Sequence, residues 1–173
     1  AKLDAVYPNK DARANRELAS LLVYLDSPSV VAKTIAEMNT ARDDEAEVAL
    51  GNLLSRHDGY ARAVQAVKSS RPNRQQIAYA FALRNATTGW TPELRKAFFA
   101  WFPRTHQWKG GNSFTKFIDN IRTEALENVV TDPAERLALD EASKKEPVAI
   151  AANLVVPKGP GAAYTVDEVV ALA

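Results

Sequence analysis

Apolar residues return every three to four positions along most of this chain, the period of helices that bury one face. Between Ala12 and Leu25 the stripe is Leu18, Leu21, Leu22 and Leu25. After Asp26-Ser27-Pro28 it resumes with Val31, Ile35 and Met38, with Ser27 the expected N-cap and Pro28 a first-turn proline. So short a connection implies an antiparallel helical hairpin.

The unit recurs. A helix from Asp43 or Asp44 carries Val48, Ala49, Leu53 and Leu54, and Asp58-Gly59 turns into another with Tyr60, Val64 and Val67. Arg71-Pro72-Asn73 opens a third pair with Ile77, Ala80 and Phe81 inward. Beyond the 85–89 turn, Thr91, Pro92 and Glu93 supply an N-cap, a proline at the first helical position and an acid suited to the helix dipole. Leu94, Phe98, Trp101 and Phe102 form the stripe of that second helix. The first helices start near residues 13, 44 and 73, about thirty apart, which is a spacing of two-helix repeats. The repeat rests on spacing alone, without residue-by-residue identity between units.

The fourth unit is interrupted. Pro103 to Asn112 reads as a loop, because Pro103 ends the preceding helix and Gly110-Gly111 permit backbone angles other residues resist. Ser113 or Asn112 then caps a helix with Phe114, Phe117, Ile118, Ile121, Ala125 and Leu126 inward, and Thr131-Asp132-Pro133 restarts a short helix to about Ser143. Pro147, Pro157, Gly159, Pro160 and Gly161 deny the following stretch regular structure, and its apolar residues suit a strap laid over the helices. Thr165-Val166-Asp167-Glu168 is a capping box that opens one more helix. The expected architecture is all-α: a HEAT- or armadillo-like solenoid of about four antiparallel helix pairs over 1–144, then an irregular strap and the start of a helix over 145–173.

Length agrees with one domain, since 173 residues bury about 70% of the surface the unfolded chain exposes. Charge changes the picture more. A net charge of +1 conceals a basic, aromatic middle: Ser69 to Arg122 holds every Phe and Trp and carries nine Lys or Arg against Glu93 and Asp119. That stretch is +7, between an N-terminal part at −1 and a C-terminal part at −5. With no cysteine, disulfides, thiolate metal sites and covalent haem attachment are excluded within these residues. No apolar run approaches the roughly 18 residues of a membrane span. Starting at Ala1 and stopping inside a nascent helix, the chain reads as an excised piece of a longer precursor.

Several stretches carry a family resemblance. Tyr7-Pro8, Asn15-Arg16-Glu17-Leu18, Leu21 to Leu25, Pro28 to Lys33, Ile77 to Arg84 with Gly89-Trp90-Thr91, Gly110 to Phe114 with Asn120-Ile121-Arg122, and Pro157 to Gly161 before Tyr164 to Glu168 occur in that order. Together they resemble the helical-repeat segment of large planctomycete- and verrucomicrobia-type haem-binding proteins. In that family a propeller like those of sugar dehydrogenases precedes the repeats, and a c-type cytochrome bearing Cys-x-x-Cys-His follows. The resemblance implies a periplasmic or secreted protein whose haem c lies in another domain. This chain lacks Cys-x-x-Cys-His, so no haem ligand carries over to it.

The candidate chemistry is sparse. His57 and His106 stand in different units without carboxylates at ligand spacing, and Asp43-Asp44-Glu45 with Glu47 complements a helix start. Gly110-Gly111-Asn112-Ser113 lacks the spacing of a phosphate loop. No residue is therefore assigned a catalytic, cofactor or metal role. The basic residues with interleaved aromatics supply what a nucleic-acid surface needs. Helical core spacing of Phe81, Phe98, Trp101, Phe102, Phe114 and Phe117 disfavours that reading, and the acidic C-terminal part is available for internal ion pairs. The partner- or ligand-binding candidates are Trp90, Arg95, Arg104, Trp108, Lys109, Gly110, Gly111 and Asn112, with Trp108 at an exposed-looking loop tip. The leading expectation is a non-catalytic scaffold that contacts a propeller and a cytochrome c of the same polypeptide, or an acidic partner protein. The alternative is a free-standing module that binds peptide or carbohydrate through the 103–113 loop; an acid/base enzyme has no local signature.

Overall fold

Every regular element among residues 2–42 and 70–144, which the computed structural model describes, is helical. The elements are α1 (Lys2–Ala5), α2 (Ala12–Tyr24), α3 (Val30–Thr40), α4 (Arg74–Leu83), α5 (Pro92–Phe99), a 3₁₀ turn (Phe102–Gln107), α6 (Phe114–Val129) and α7 (Pro133–Lys144). The expected hairpin at 43–69, with His57 and the acids before it, lies outside the described residues, as do the strap and the capping box at 165–168.

Local chemistry accounts for most helix starts. Asp11 accepts from the N–H groups of Arg13 and Ala14, Asn73 from Gln76, and Thr91 from Leu94 with Pro92 at the helix entry. The second helix differs from expectation. Ser29, not Ser27, occupies the N-cap position, and its hydroxyl donates to Asp4 Oδ1 at 2.6 Å. Ser27 donates to the same carboxylate at 3.3 Å. A carboxylate brought in by α1 has drawn both hydroxyls away from the helix N–H groups. Pro103 also behaves differently: the preceding helix has already ended at Phe99, and Pro103 stands in the first turn of the 3₁₀ helix instead of beginning a loop. A first-turn N–H has no intrahelical partner, so its loss there costs little.

The first helices of the pairs run side by side in one direction. Gln75 Nε2 donates to the Ala12 carbonyl at 2.8 Å near the start of α4 and α2, and Thr87 donates to Asp26 Oδ1 at 2.9 Å just past their ends. Between α4 and α6 the same ascent runs from Phe81 against Phe117 to Arg84 paired with Glu124 at 2.6 Å, then to Asn128 donating to the Arg84 carbonyl. Behind them α3 packs on α5 and α5 on α7. The α2–α3 pair thus lies directly on the α4–α5 pair.

The inward faces of three helices also differ. On α2 the buried residues are Asn15, Ala19, Leu22 and Val23, while Leu21 and Leu25 are exposed and Leu18 is half-buried. Asn15 turns inward because its polar atoms find partners: its amide donates to the Asn9 carbonyl at 2.8 Å, and its oxygen accepts from the Asn9 N–H at 2.6 Å. On α4 and α6, Phe81 and Phe117 point outward, at 43% and 41% exposure, and pack on each other with ring centroids 5.9 Å apart. Phe114 is half-buried against the core.

The turn before α5 closes on the first hairpin at Gly89, whose φ of +82° favours glycine. A Cβ there would stand 2.5 Å from the Pro28 carbonyl oxygen. Gly89→Ala is therefore expected to destabilise the fold by more than about 1 kcal/mol, read as a lower urea midpoint at unchanged slope.

A second clasp holds the N-terminal segment. Lys33 Nζ donates to the carbonyls of Asp4 and Tyr7 at 2.6 and 3.0 Å, and the buried Tyr7 hydroxyl bonds Thr34 at 2.8 Å. Burial pushes the Tyr7 phenol up, against the Thr34 hydrogen bond. The Ser29 hydrogen bond holds the Asp4 carboxyl low, burial opposes it, and Lys33 adds to the lowering. A depressed folded-state value means that this contribution is present above the ordinary aspartate value of 3.8 and is lost as pH falls through and below it. The stability difference between wild type and Asp4→Asn should accordingly be positive at neutral pH and shrink below about pH 4 in paired urea titrations. A difference independent of pH would exclude this role for Asp4.

Candidate functional site

The aromatic residues of α5 and the segment after it build one edge-packed cluster. Phe98 meets Trp90, Phe99 and Phe102 at centroid separations of 5.4, 5.3 and 5.4 Å, and Trp101 meets Phe102 and Trp108 at 5.1 and 5.8 Å. Two of the three indole N–H groups have partners within the fold: Trp90 donates to the Ala86 carbonyl at 2.8 Å and Trp101 to Gln76 Oε1 at 2.9 Å. At the outer end of this cluster, between the 3₁₀ turn, the first half of α6 and the end of α7, lies a cleft of about 180 Å³. Phe102, Trp108, Phe114 and Ile118 form its apolar wall, and Thr105, His106, Thr115, Asp119, Arg122, Ser143 and Lys144 supply polar groups.

Backbone contacts set the wall. Lys109 donates its N–H to the Ser70 carbonyl at 2.6 Å, which ties the segment after the 3₁₀ turn to the approach to α4. Gly110 lies so close to the Phe114 ring that a Cβ would stand 2.2 Å from it, whereas a Cβ on Gly111 would meet nothing within 4 Å. The first glycine is needed for packing; the second is not.

Charge at the cleft is arranged in two layers. Inside, the buried Arg122 guanidinium pairs with Asp140 through Nη1 and faces Asp119 at 3.6 Å through Nε, and Lys144 Nζ pairs with Asp140 at 2.7 Å. Burial works to raise the Asp140 carboxyl, but the hydrogen bonds from Lys144 and Arg122 outweigh it and the group lies below its ordinary value. Outside, Arg104, Lys109 and Lys116 are exposed. Their counterparts deeper in the fold are paired: Arg84 with Glu124 at 2.6 Å and Arg95 with Glu135 at 2.8 Å. The acidic residues after Arg122 thus neutralise Arg84, Arg95 and Arg122 internally, as the charge pattern suggested.

The candidates separate accordingly. Trp108 lines the cleft, and Lys109, Gly110, Gly111 and Asn112 follow it as an exposed segment, with Arg104 exposed on the 3₁₀ turn. Trp108 itself is half-buried against Trp101, a correction to the exposed tip expected of it. Trp90 and Arg95 serve the interior, through the indole hydrogen bond and the Glu135 pair. Sequence reasoning missed Thr115, Asp119, Arg122, Ser143 and Lys144. For the three on α6 a signal existed: Thr115, Asp119 and Arg122 recur at helical spacing beside Ile118. Ser143 and Lys144 arrive only through the packing of α7.

Among the described residues no group of three His, Cys, Asp or Glu side chains could hold a metal ion, and no helix is long and apolar enough to cross a membrane. The cleft presents an aromatic wall beside polar groups, and the exposed Arg104, Lys109 and Lys116 each neighbour a lining residue in sequence. Comparison with family models, curated proteins and solved structures finds no match.

Proposed function

We propose that this chain is a non-catalytic scaffold and protein-interaction domain, a HEAT-like stack of helix pairs that holds neighbouring domains in fixed relation. The observation that carries the reading is the common direction of α2, α4 and α6 with α3, α5 and α7 behind them, like helix on like helix. Stacks of this kind bind through their extended faces. On the resemblance, the parent is an extracytoplasmic, haem-containing oxidoreductase, periplasmic or secreted, and the neighbours are its propeller and its cytochrome c, which carries the haem.

Lysine cross-linking of the intact parent polypeptide tests this. Links from Lys96, Lys109 or Lys116 to residues outside 1–173 are expected, together with Cys-x-x-Cys-His in the coding sequence beyond Ala173. An intact protein with neither would overturn the scaffold reading. A second reading, a free-standing module for peptide or carbohydrate, draws on the Trp108 and Phe114 wall. It predicts a change in Trp fluorescence on titration with neutral glycans.

A further inference from the structure

The exposed cations around the cleft differ in kind from those within the fold. From Phe102 to Ile118 the chain carries Arg104, Lys109 and Lys116 and no acid. All three are exposed, and none has an ion-pair partner among the described residues. Each adjoins a residue of the cleft lining: Arg104 precedes Thr105, Lys109 follows Trp108, and Lys116 follows Thr115. Exposed like charges left together repel one another across a Debye length of about 10 Å, a cost that an approaching acidic surface reverses. Meanwhile the cleft floor is already neutralised by Asp140 and Asp119 around Arg122. The three unpaired cations thus flank lining residues in sequence while Phe102, Trp108, Phe114 and Ile118 give the cleft an apolar wall, the elements of an anchor pocket with a steering perimeter.

We propose that this cleft docks an acidic segment of a partner protein, with one bulky apolar side chain entering beside Trp108, Phe114 and Ile118 and flanking carboxylates meeting Arg104, Lys109 and Lys116. The inference rests on the scaffold reading and names the chemistry of one of its contacts. Geometry favours a peptide over nucleic acid. The rings are set edge to face into the wall, Trp108 against Trp101 at 69°, and the cleft is concave, whereas bases need successive open faces to stack on.

The test titrates the 173-residue chain with a short synthetic peptide of Asp and Glu around one central Phe, followed by Trp fluorescence, with Trp108→Phe assigning the signal. Binding is expected to weaken about tenfold or more in the Lys109→Glu/Lys116→Glu variant, and several-fold between about 0.05 M and about 0.5 M salt. Both lysines are exposed, and circular dichroism checks that the variant folds. The proposal is overturned if the charge-reversed variant binds equally well, if a Gly-centred peptide binds as tightly as the Phe-centred one, or if an oligonucleotide of equal charge displaces the peptide at equal concentration. Cross-links from Lys109 and Lys116 in the intact parent without peptide binding would remove the cleft proposal alone. Peptide binding without any such links or downstream cytochrome would remove the scaffold reading and leave the cleft standing.

Discussion

Phe98→Ala is expected to destabilise the fold by about 4 kcal/mol, within the usual range for emptying a buried phenylalanine site. Phe98 is 1% exposed, and its ring contacts Trp90, Phe99 and Phe102. Truncation removes the transfer energy of the ring and leaves a cavity walled by other rings, which are held by their own contacts and fill it poorly. Domains of this size hold only about 5–15 kcal/mol in total, so the loss should be plain as a lowered urea midpoint and a red-shifted Trp90 emission. Phe98→Leu conserves most of the volume and should cost less than about 1.5 kcal/mol. Phe81→Ala is the contrast. At 43% exposure, beside Phe117 and with the Arg84 guanidinium over its ring 3.4 Å from the centroid, Phe81 should cost less than about 1 kcal/mol to remove. Equal losses at the two positions would contradict the rotation of α4.

The second large effect is at Asp140. Its carboxylate holds Arg122, whose side chain is only 10% exposed, and Asp140→Asn would leave that guanidinium with Asp119 at 3.6 Å as its remaining counter-charge. An uncompensated buried charge costs about 3–5 kcal/mol; with Asp140 27% exposed, the lower end, about 3 kcal/mol, is expected. The double variant Arg122→Met/Asp140→Leu should recover most of the loss, because the desolvation cost disappears with the charge. The pH dependence has a definite sign. The folded-state value of Asp140 is depressed, so its contribution is present above the ordinary 3.8 and is lost as pH falls through and below it. Asp140→Asn should therefore differ most from wild type at neutral pH and converge with it in acid, as urea titrations across that range would show. A variant as stable as wild type at pH 7 would remove Asp140 from any role in positioning the α6–α7 side of the cleft.

Helix class and most boundaries were readable from the residue order, because they depend on chemistry within about four positions. A cap such as Asn73 or Thr91 bonds an N–H three residues ahead, and the apolar period reports that a face is buried. Even the pairing of part of the basic middle, Arg84, Arg95 and Arg122, with later acids followed the charge pattern. Which face turned inward, which helices became neighbours and which cation met which acid did not follow. Asn15 took the interior of α2 in place of Leu21 through paired bonds to Asn9, Gln75 reached Ala12 across 63 positions, and Arg95 reached Glu135 across 40. Such pairings compete with many alternatives of similar local pattern and are selected only when whole helices dock, since the energy separating them lies in shared burial and not in any single stretch of chain.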